Sequence, residues 1–166
     1  MPSAPEDNAL KKARSSLLRL LSYRGRSRKE AEEYLQRKGF APAVIAAVLR
    51  EMEEWRYIDD RSFTNEFLES SLRRGWGPLR ARFALISKGI PKTIIERAIE
   101  EYYSPEEEQA LARRALEKRS SPQNEKADRS WIRRQIAYLK RRGFHDQVII
   151  DALKAHCKYF DYYPPW

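Results

Sequence analysis

Apolar residues recur along this chain at helical spacing, not with the strict alternation of strands. Leu10, Ala13, Leu17, Leu18 and Leu21 fall on one face, with Lys11, Lys12, Arg14 and Arg19 elsewhere. This pattern predicts a helix from Ala9 that ends near Arg24-Gly25. Ser27-Arg28-Lys29-Glu30 is a capping-box pattern opening a second helix, which turns Ala31, Tyr34 and Leu35 inward. Lys38-Gly39 reads as its stop, with the glycine supplying a left-handed residue after the last turn. Pro42 suits the first turn of a third helix, which carries Val44, Ile45, Val48, Leu49 and Met52 to about Trp55. Residues 1–8 hold two prolines and two acids without apolar periodicity, and are expected to form a disordered lead-in.

The same pattern returns. Displaced by fifty residues, Ala13, Leu17 and Leu18 become Phe63, Phe67 and Leu68, and Arg24-Gly25 becomes Arg74-Gly75. Ala31 and Leu35 become Ala81 and Leu85, Lys38-Gly39-Phe40 becomes Lys88-Gly89-Ile90, and Ile45, Val48, Leu49 and Met52 become Ile95, Ala98, Ile99 and Tyr102. A third copy follows with one irregularity. Leu111, Ala115 and Leu116 match the second copy at an offset of 48, whereas Arg142-Gly143-Phe144, Ile149, Ala152 and Leu153 match it at 54. The extra residues fall in the polar stretch 119–128, which reads as a flexible loop. Ser104-Pro105-Glu106-Glu107 opens this copy with a cap, a first-turn proline and acids placed for the helix dipole.

Self-similarity at this period implies an all-α protein of three tandem three-helix modules stacked into an elongated, curved array. The expected organisation is a lead-in over 1–8, modules over 9–57, 58–103 and 104–157, and an aromatic tail over 158–166 that either docks on the last module or stays mobile. Modules of about fifty residues are marginal alone, so neighbours are expected to share apolar surface.

Composition sharpens this picture. With 166 residues, 42% hydrophobic and 34% charged, the chain can build a core and still carry many exposed charges. The formal net charge is +9 and the isoelectric point near 9.7. That balance points to an anionic partner, either nucleic acid, a nucleoprotein or an acidic protein surface, against the plainer alternative of solvated arginine-rich faces. A single cysteine, Cys157, excludes an intramolecular disulfide and fits a reducing compartment. The first ten residues lack a signal-peptide layout and no apolar run approaches the ~18 residues of a membrane span. A soluble, cytoplasmic protein without membrane association is expected.

Candidate chemistry is sparse. His145, His156 and Cys157 suggest a metal or a nucleophile, but there is no second cysteine or third histidine. His156 takes the repeat position of Met52 and Tyr102, and His145 follows a helix stop. Asp59-Asp60 reads as helix capping in preference to a metal pair, and Glu106-Glu107-Glu108 as a response to the helix dipole. No phosphate-binding glycine loop, dinucleotide fingerprint or Ser/His/Asp arrangement is present. Neither catalysis, nor a cofactor, nor a metal is expected.

The basic residues remain as the candidate binding set. Arg24 and Arg26 flank the first inter-helix turn; Arg73, Arg74, Trp76, Arg80 and Arg82 surround the second; Arg133, Arg134, Lys140, Arg141 and Arg142 lie on the middle helix of the third module. If corresponding turns line one side of the array, they form a basic stripe whose guanidinium groups suit phosphates or carboxylates. Trp76, between Gly75 and Gly77, either packs against a neighbouring module or offers a stacking surface, with packing preferred.

Three stretches carry a family resemblance: Tyr23–Phe40 (YRGRSRKEAEEYLQRKGF), Tyr57–Phe63 (YIDDRSF) and Leu72–Ile90 (LRRGWGPLRARFALISKGI). They resemble the RecX family, regulators of the bacterial RecA recombinase. The resemblance spans nearly all of residues 9–157. It is most specific over Trp55–Ile90 and looser in the third module; Thr64, where the family often has alanine, is a small departure. It implies a monomeric, non-enzymatic protein that lies in the groove of the RecA–single-stranded DNA filament and contacts several protomers. Such a protein limits filament extension or promotes disassembly, and so restrains ATP hydrolysis, strand exchange and co-protease activity in the SOS response; weak direct DNA binding is compatible with this reading. The competing reading is a direct DNA-binding repeat protein with helix-turn-helix-like modules. A helical scaffold for another acidic protein is the third.

Overall fold

The computed structural model describes residues 4–119 and 129–156, with side chains from Asp7 onward. Nine helices and no strand occur among these residues, so the chain is all-α. They are α1 (Ala4–Leu21), α2 (Arg28–Arg37), α3 (Pro42–Glu54), α4 (Asp60–Arg73), α5 (Pro78–Ser87), α6 (Lys92–Tyr102), α7 (Pro105–Glu117), α8 (Arg129–Arg142) and α9 (Asp146–His156). The first helix starts at Ala4, inside the stretch expected to be a disordered lead-in. Acids and a proline are compatible with a first helical turn, whose N–H groups lack intrahelical acceptors, so they did not exclude the helix. Of the loop expected at 119–128, the part from residue 120 lies outside the described residues, as do Cys157 and the aromatic tail.

The chain forms two compact units. One comprises the residues up to Glu66 together with Leu85–Ile95; the other comprises Phe67–Ala84 and the chain from Glu96 onward. The boundaries fall inside α4, α5 and α6, so these three helices contribute to both.

In the first unit α1, α2 and α3 pack on one another around Ala13, Leu17, Ala31, Leu35, Ile45, Val48, Leu49, Met52 and Ile58. These are the inward positions of the periodic pattern, and burying each large aliphatic side chain contributes about 1.5–3 kcal/mol. Gly39 closes α2 with φ of 80°, and Phe40 follows it, half-buried against the core. The end of α3 uses Arg56 in this left-handed conformation, at φ of 58°, with the N–H groups of Tyr57 and Ile58 both returning to the Met52 carbonyl. In the second unit α7, α8 and α9 pack mutually, burying Leu111, Leu116, Ile132, Leu139, Phe144, Ile149 and Leu153.

Each unit contains one junction between the start of one helix and the end of another. In the first, the Ser27 hydroxyl accepts from the Glu30 N–H at 3.2 Å and donates to the Lys88 carbonyl at 2.7 Å. The Glu30 carboxylate returns to the Ser27 N–H at 3.1 Å, completing the capping box read from the sequence. In the second unit the contact is backbone to backbone: Gly77 N–H donates to the Arg142 carbonyl at 2.7 Å and Leu79 N–H to the Gly143 carbonyl at 3.0 Å. Ser27 and Gly77 are fifty residues apart, and Lys88 and Arg142 fifty-four, the offsets of the repeat itself.

Approach this close requires glycine. A Cβ on Gly77 would lie 2.5 Å from the Gly143 carbonyl carbon and 2.7 Å from the Phe144 nitrogen. One on Gly143, which has φ of 86°, would lie 2.5 Å from Arg80 Cβ. At Gly25 the nearest atoms would be 3.6 Å and 3.9 Å away, an ordinary contact. Gly77→Ala and Gly143→Ala are therefore each expected to cost about 2–4 kcal/mol through overpacking and, at Gly143, left-handed strain. Gly25→Ala should change stability little. Thermal melting of the three variants checks this, and equal losses at all three positions would refute it.

Candidate functional site

The second junction gathers much of the arginine set. After α4 ends, the N–H groups of Arg74, Gly75 and Trp76 fold back onto the carbonyls of Ser70, Leu72 and Ser71, and Gly75 adopts φ of 66°. This turn presents Trp76 half-buried, edge-on to Phe67 with ring centroids 6.2 Å apart. The Tyr103 hydroxyl donates to the Trp76 carbonyl at 3.0 Å; burial, with Glu108 nearby, pushes this phenol up, so it remains a donor.

Two guanidinium groups lie over the indole, Arg80 at 4.0 Å from the ring centroid and Arg74 at 5.4 Å. Arg80 also donates to the Arg141 carbonyl at 3.4 Å. Arg142 reaches back from α8 to the carbonyls of Arg74 and Gly75, the latter at 3.1 Å, with its guanidinium 5.1 Å from the Tyr138 ring. Arg74, Trp76, Arg80 and Arg141, which the sequence places in two separate groups, thus come together, joined by Arg142. Aromatic faces and backbone carbonyls hold Arg74, Arg80 and Arg142, and none of these side chains pairs with a carboxylate among the described residues. Their charge is not cancelled locally, which makes the corner attractive to an anion.

The other candidates are arranged differently. Arg82 forms a 2.8 Å ion pair with Glu96, and Lys140 pairs with Asp146 at 3.1 Å. Arg73 is exposed and 3.8 Å from Glu69, a weak one-turn pair. Arg133 is exposed on α8, and exposed Arg134 donates to the Ser130 hydroxyl at 2.5 Å. In the first unit Arg24 pairs with Glu30 at 3.1 Å and donates to the Gly25 carbonyl, while Arg26 is half-buried. Arg24, Arg82 and Lys140 are accordingly committed to carboxylates of their own chain.

The acids serve mainly as caps. Asp59 accepts from the N–H groups of Arg61 and Ser62 at the start of α4; against the push of burial, these bonds hold its carboxyl below the usual range. Asp60 does not cap its own helix. Its carboxylate accepts the Arg28 N–H at 2.9 Å, at the start of α2, and burial raises its pKa. Glu108 is buried and receives both the backbone N–H and the Nδ1 of His145 at 2.9 Å, tying α7 to the start of α9. The dipole reading of the 106–108 cluster missed this long-range role. His156 stacks on the Trp131 ring, with centroids 6.1 Å apart. No group of three or more His, Cys, Asp or Glu side chains placed to hold a metal occurs among the described residues, and none of the described helices is long and apolar enough to cross a membrane.

Comparison with known proteins agrees with this architecture. Residues 13–52 match the first three-helix domain of RecX and residues 59–99 the second. The "Regulatory protein RecX" of Pelodictyon phaeoclathratiforme is 32% identical over 149 residues, covering 89% of this chain and 91% of that protein. The chain belongs to the RecX family. The "Regulatory protein RecX" of Geobacillus kaustophilus is also 32% identical, over 145 residues that make up 87% of this chain. The chain spans about half the length of the Geobacillus kaustophilus and Geobacillus thermodenitrificans proteins, 54% and 53%. The crystal structure of RecX from Lactobacillus salivarius superposes with a TM-score of 0.73 at 22% identity, covering 90% of this chain and 97% of that one, and shares its fold.

Glu30 is bound into this RecX framework by several donors. Burial pushes its carboxyl up, but bonds from Arg24, Lys88 and the Ser27 N–H outweigh this and hold the pKa at about 2, against an ordinary 4.5. Its contribution to stability is therefore complete above pH 4.5 and is lost as pH falls towards 2. Glu30→Gln should lower stability near pH 7 by on the order of 2 kcal/mol and converge with the parent at the acid end. Melting curves across that range decide it; a constant difference at every pH would contradict the assignment.

Proposed function

We propose that this chain regulates a RecA recombinase. It binds the RecA–single-stranded DNA filament in its groove, across several protomers, and inhibits filament extension, ATP hydrolysis, strand exchange and co-protease activity without catalysing a reaction. Membership of a family whose curated members are named regulatory proteins supports the regulatory part. The single structural observation that carries the contact is the arginine corner, where Arg74 and Arg80 lie over Trp76 without carboxylate partners and exposed Arg141 adjoins them through its carbonyl. Arginines free of internal ion pairs lose little on meeting an acidic nucleoprotein and speed encounter with it. Cations occur in both units, Arg26 in one and Arg74, Arg80 and Arg141 in the other, whereas Arg24 is held by Glu30. Weak contacts distributed in this way gain through effective concentration when the target is itself a repeating polymer.

Direct DNA binding is the second reading, favoured by the same cluster of arginine and tryptophan. However, Arg80 already lies 4.0 Å over the Trp76 ring, so stacking a base there means displacing its own cation.

The two readings separate in one experiment. The protein should co-sediment with RecA–single-stranded DNA filaments and suppress their ATPase, while binding naked DNA weakly at moderate salt. The combined variant Arg74→Glu, Arg80→Glu, Arg141→Glu, with helicity confirmed, should need at least about tenfold more protein for half-inhibition, a change of 1.4 kcal/mol per decade. Full inhibition by the folded variant would remove these residues from the interface. Tight, steeply salt-dependent binding to naked DNA would favour the second reading.

A further inference from the structure

Helix α5 carries large apolar side chains on its exposed side. Leu79 is 40% exposed, Phe83 74% and Ile86 56%, and their spacing of four and three residues places them in one row along the helix. The inward side of the same helix is occupied by Ala81 and Leu85, both fully buried, so this row is not needed for the core.

The repeat supplies an internal control. Displaced by fifty residues to α2, the positions of Leu79, Phe83 and Ile86 hold Lys29, Glu33 and Gln36. There Lys29 and Glu33 form a one-turn ion pair at 3.8 Å, the ordinary chemistry of a solvated helix face. Displaced by fifty-four to α8, they hold Arg133, Ala137 and Lys140, all exposed. The same fold position is thus polar or small in the other two middle helices and strongly apolar only in α5. Arg80 shares the exposed side of α5, and through its contacts with Trp76 and the Arg141 carbonyl it brings the unpaired arginine cluster to the end of the row.

We infer that the Leu79–Phe83–Ile86 row, with Arg80 at its margin, is a protein-docking ridge. Its occupant is an acidic protein surface with an apolar groove bordered by carboxylates. An exposed phenylalanine beside arginine and tryptophan matches the residue types enriched at protein interfaces. The leucine and isoleucine argue against nucleic acid, because aliphatic side chains offer no plane for a base and nothing to a phosphate. The inference rests on the filament-binding reading and deepens it: at α5 the chain meets the recombinase protein itself and not the DNA within the filament.

The test compares the full chain with Leu79→Ser/Phe83→Ser, and with Phe83→Gln alone should the double variant fold poorly. Circular dichroism and melting serve as controls, since exposed positions should tolerate these changes. Binding to RecA–single-stranded DNA filaments and ATPase inhibition should weaken at least tenfold, naked single-stranded DNA binding should stay unchanged, and Phe83→Leu should retain most activity. If the parent binds filaments and the folded variant binds equally well, the ridge assignment is overturned while the filament reading stands. If the parent itself fails to bind filaments, that reading fails first. A parallel loss of naked-DNA binding would assign the ridge to nucleic acid, and a parent dimer that the variant abolishes would assign it to a second copy of this chain; either overturns the proposal.

Discussion

Helix ends leave backbone groups without partners, and in this chain one helix end supplies them to another. Pro78 has no N–H to contribute, so Gly77 and Leu79 on either side of it donate instead, to the carbonyls of Arg142 and Gly143 at the close of α8. Orphan donors at one terminus and orphan acceptors at another cancel without water or a side chain between them. The corner residues take their places from this contact: Trp76 immediately precedes it, Arg80 follows it in the first turn of α5, Arg142 supplies one of its carbonyls and Arg141 stands next to Arg142. In the first unit a serine hydroxyl does the same work for the Lys88 carbonyl.

The electrostatics follow from how the acids are used. Asp59, Asp60 and Glu108 each bind a backbone N–H at or next to a helix start. Carboxylates placed this way stabilise the fold but are withdrawn from the surface pool that would otherwise neutralise arginine. A chain with 33 basic and 24 acidic side chains is therefore more positive at its exposed corners than the bare difference implies. Where acids do meet arginine, as at Arg82–Glu96 and Arg24–Glu30, the cation is held near its own chain. Where they do not, aromatic rings and carbonyls hold the guanidinium in place and leave its charge intact.

What could be read from the sequence was whatever depends on neighbours within a turn or two. Helical periodicity identified the inward positions, Ser27 and Glu30 announced their reciprocal cap, and Asp59 its helix start. The acids whose partners lie far along the chain were misassigned or incomplete: Asp60 reaches Arg28, and Glu108 reaches His145, thirty-two and thirty-seven residues away. Composition marked the arginines as a group but could not sort paired from unpaired, because Glu96 and Arg82 meet only through folding. The same limit applied to Gly77, whose neighbours suggested a turn but not that another backbone would press against it. The early start of α1 was obscured because prolines and acids are equally at home in a coil and in a first helical turn.

Sequence separation gives the two junctions a place in time. Ser27 and Lys88 are 61 residues apart, and Arg142 reaches Gly75 across 67. Isolated helices of this length form within about a microsecond, whereas bonds across so long a loop wait until the intervening chain has been drawn together. Where such a bond closes late, its helix ends stay open to water through most of folding. Interactions that form after the rate-limiting step act chiefly on the rate of escape from the native state. A glycine contact formed that late works as a latch: it governs how long the arginine surface persists once assembled more than how quickly it appears.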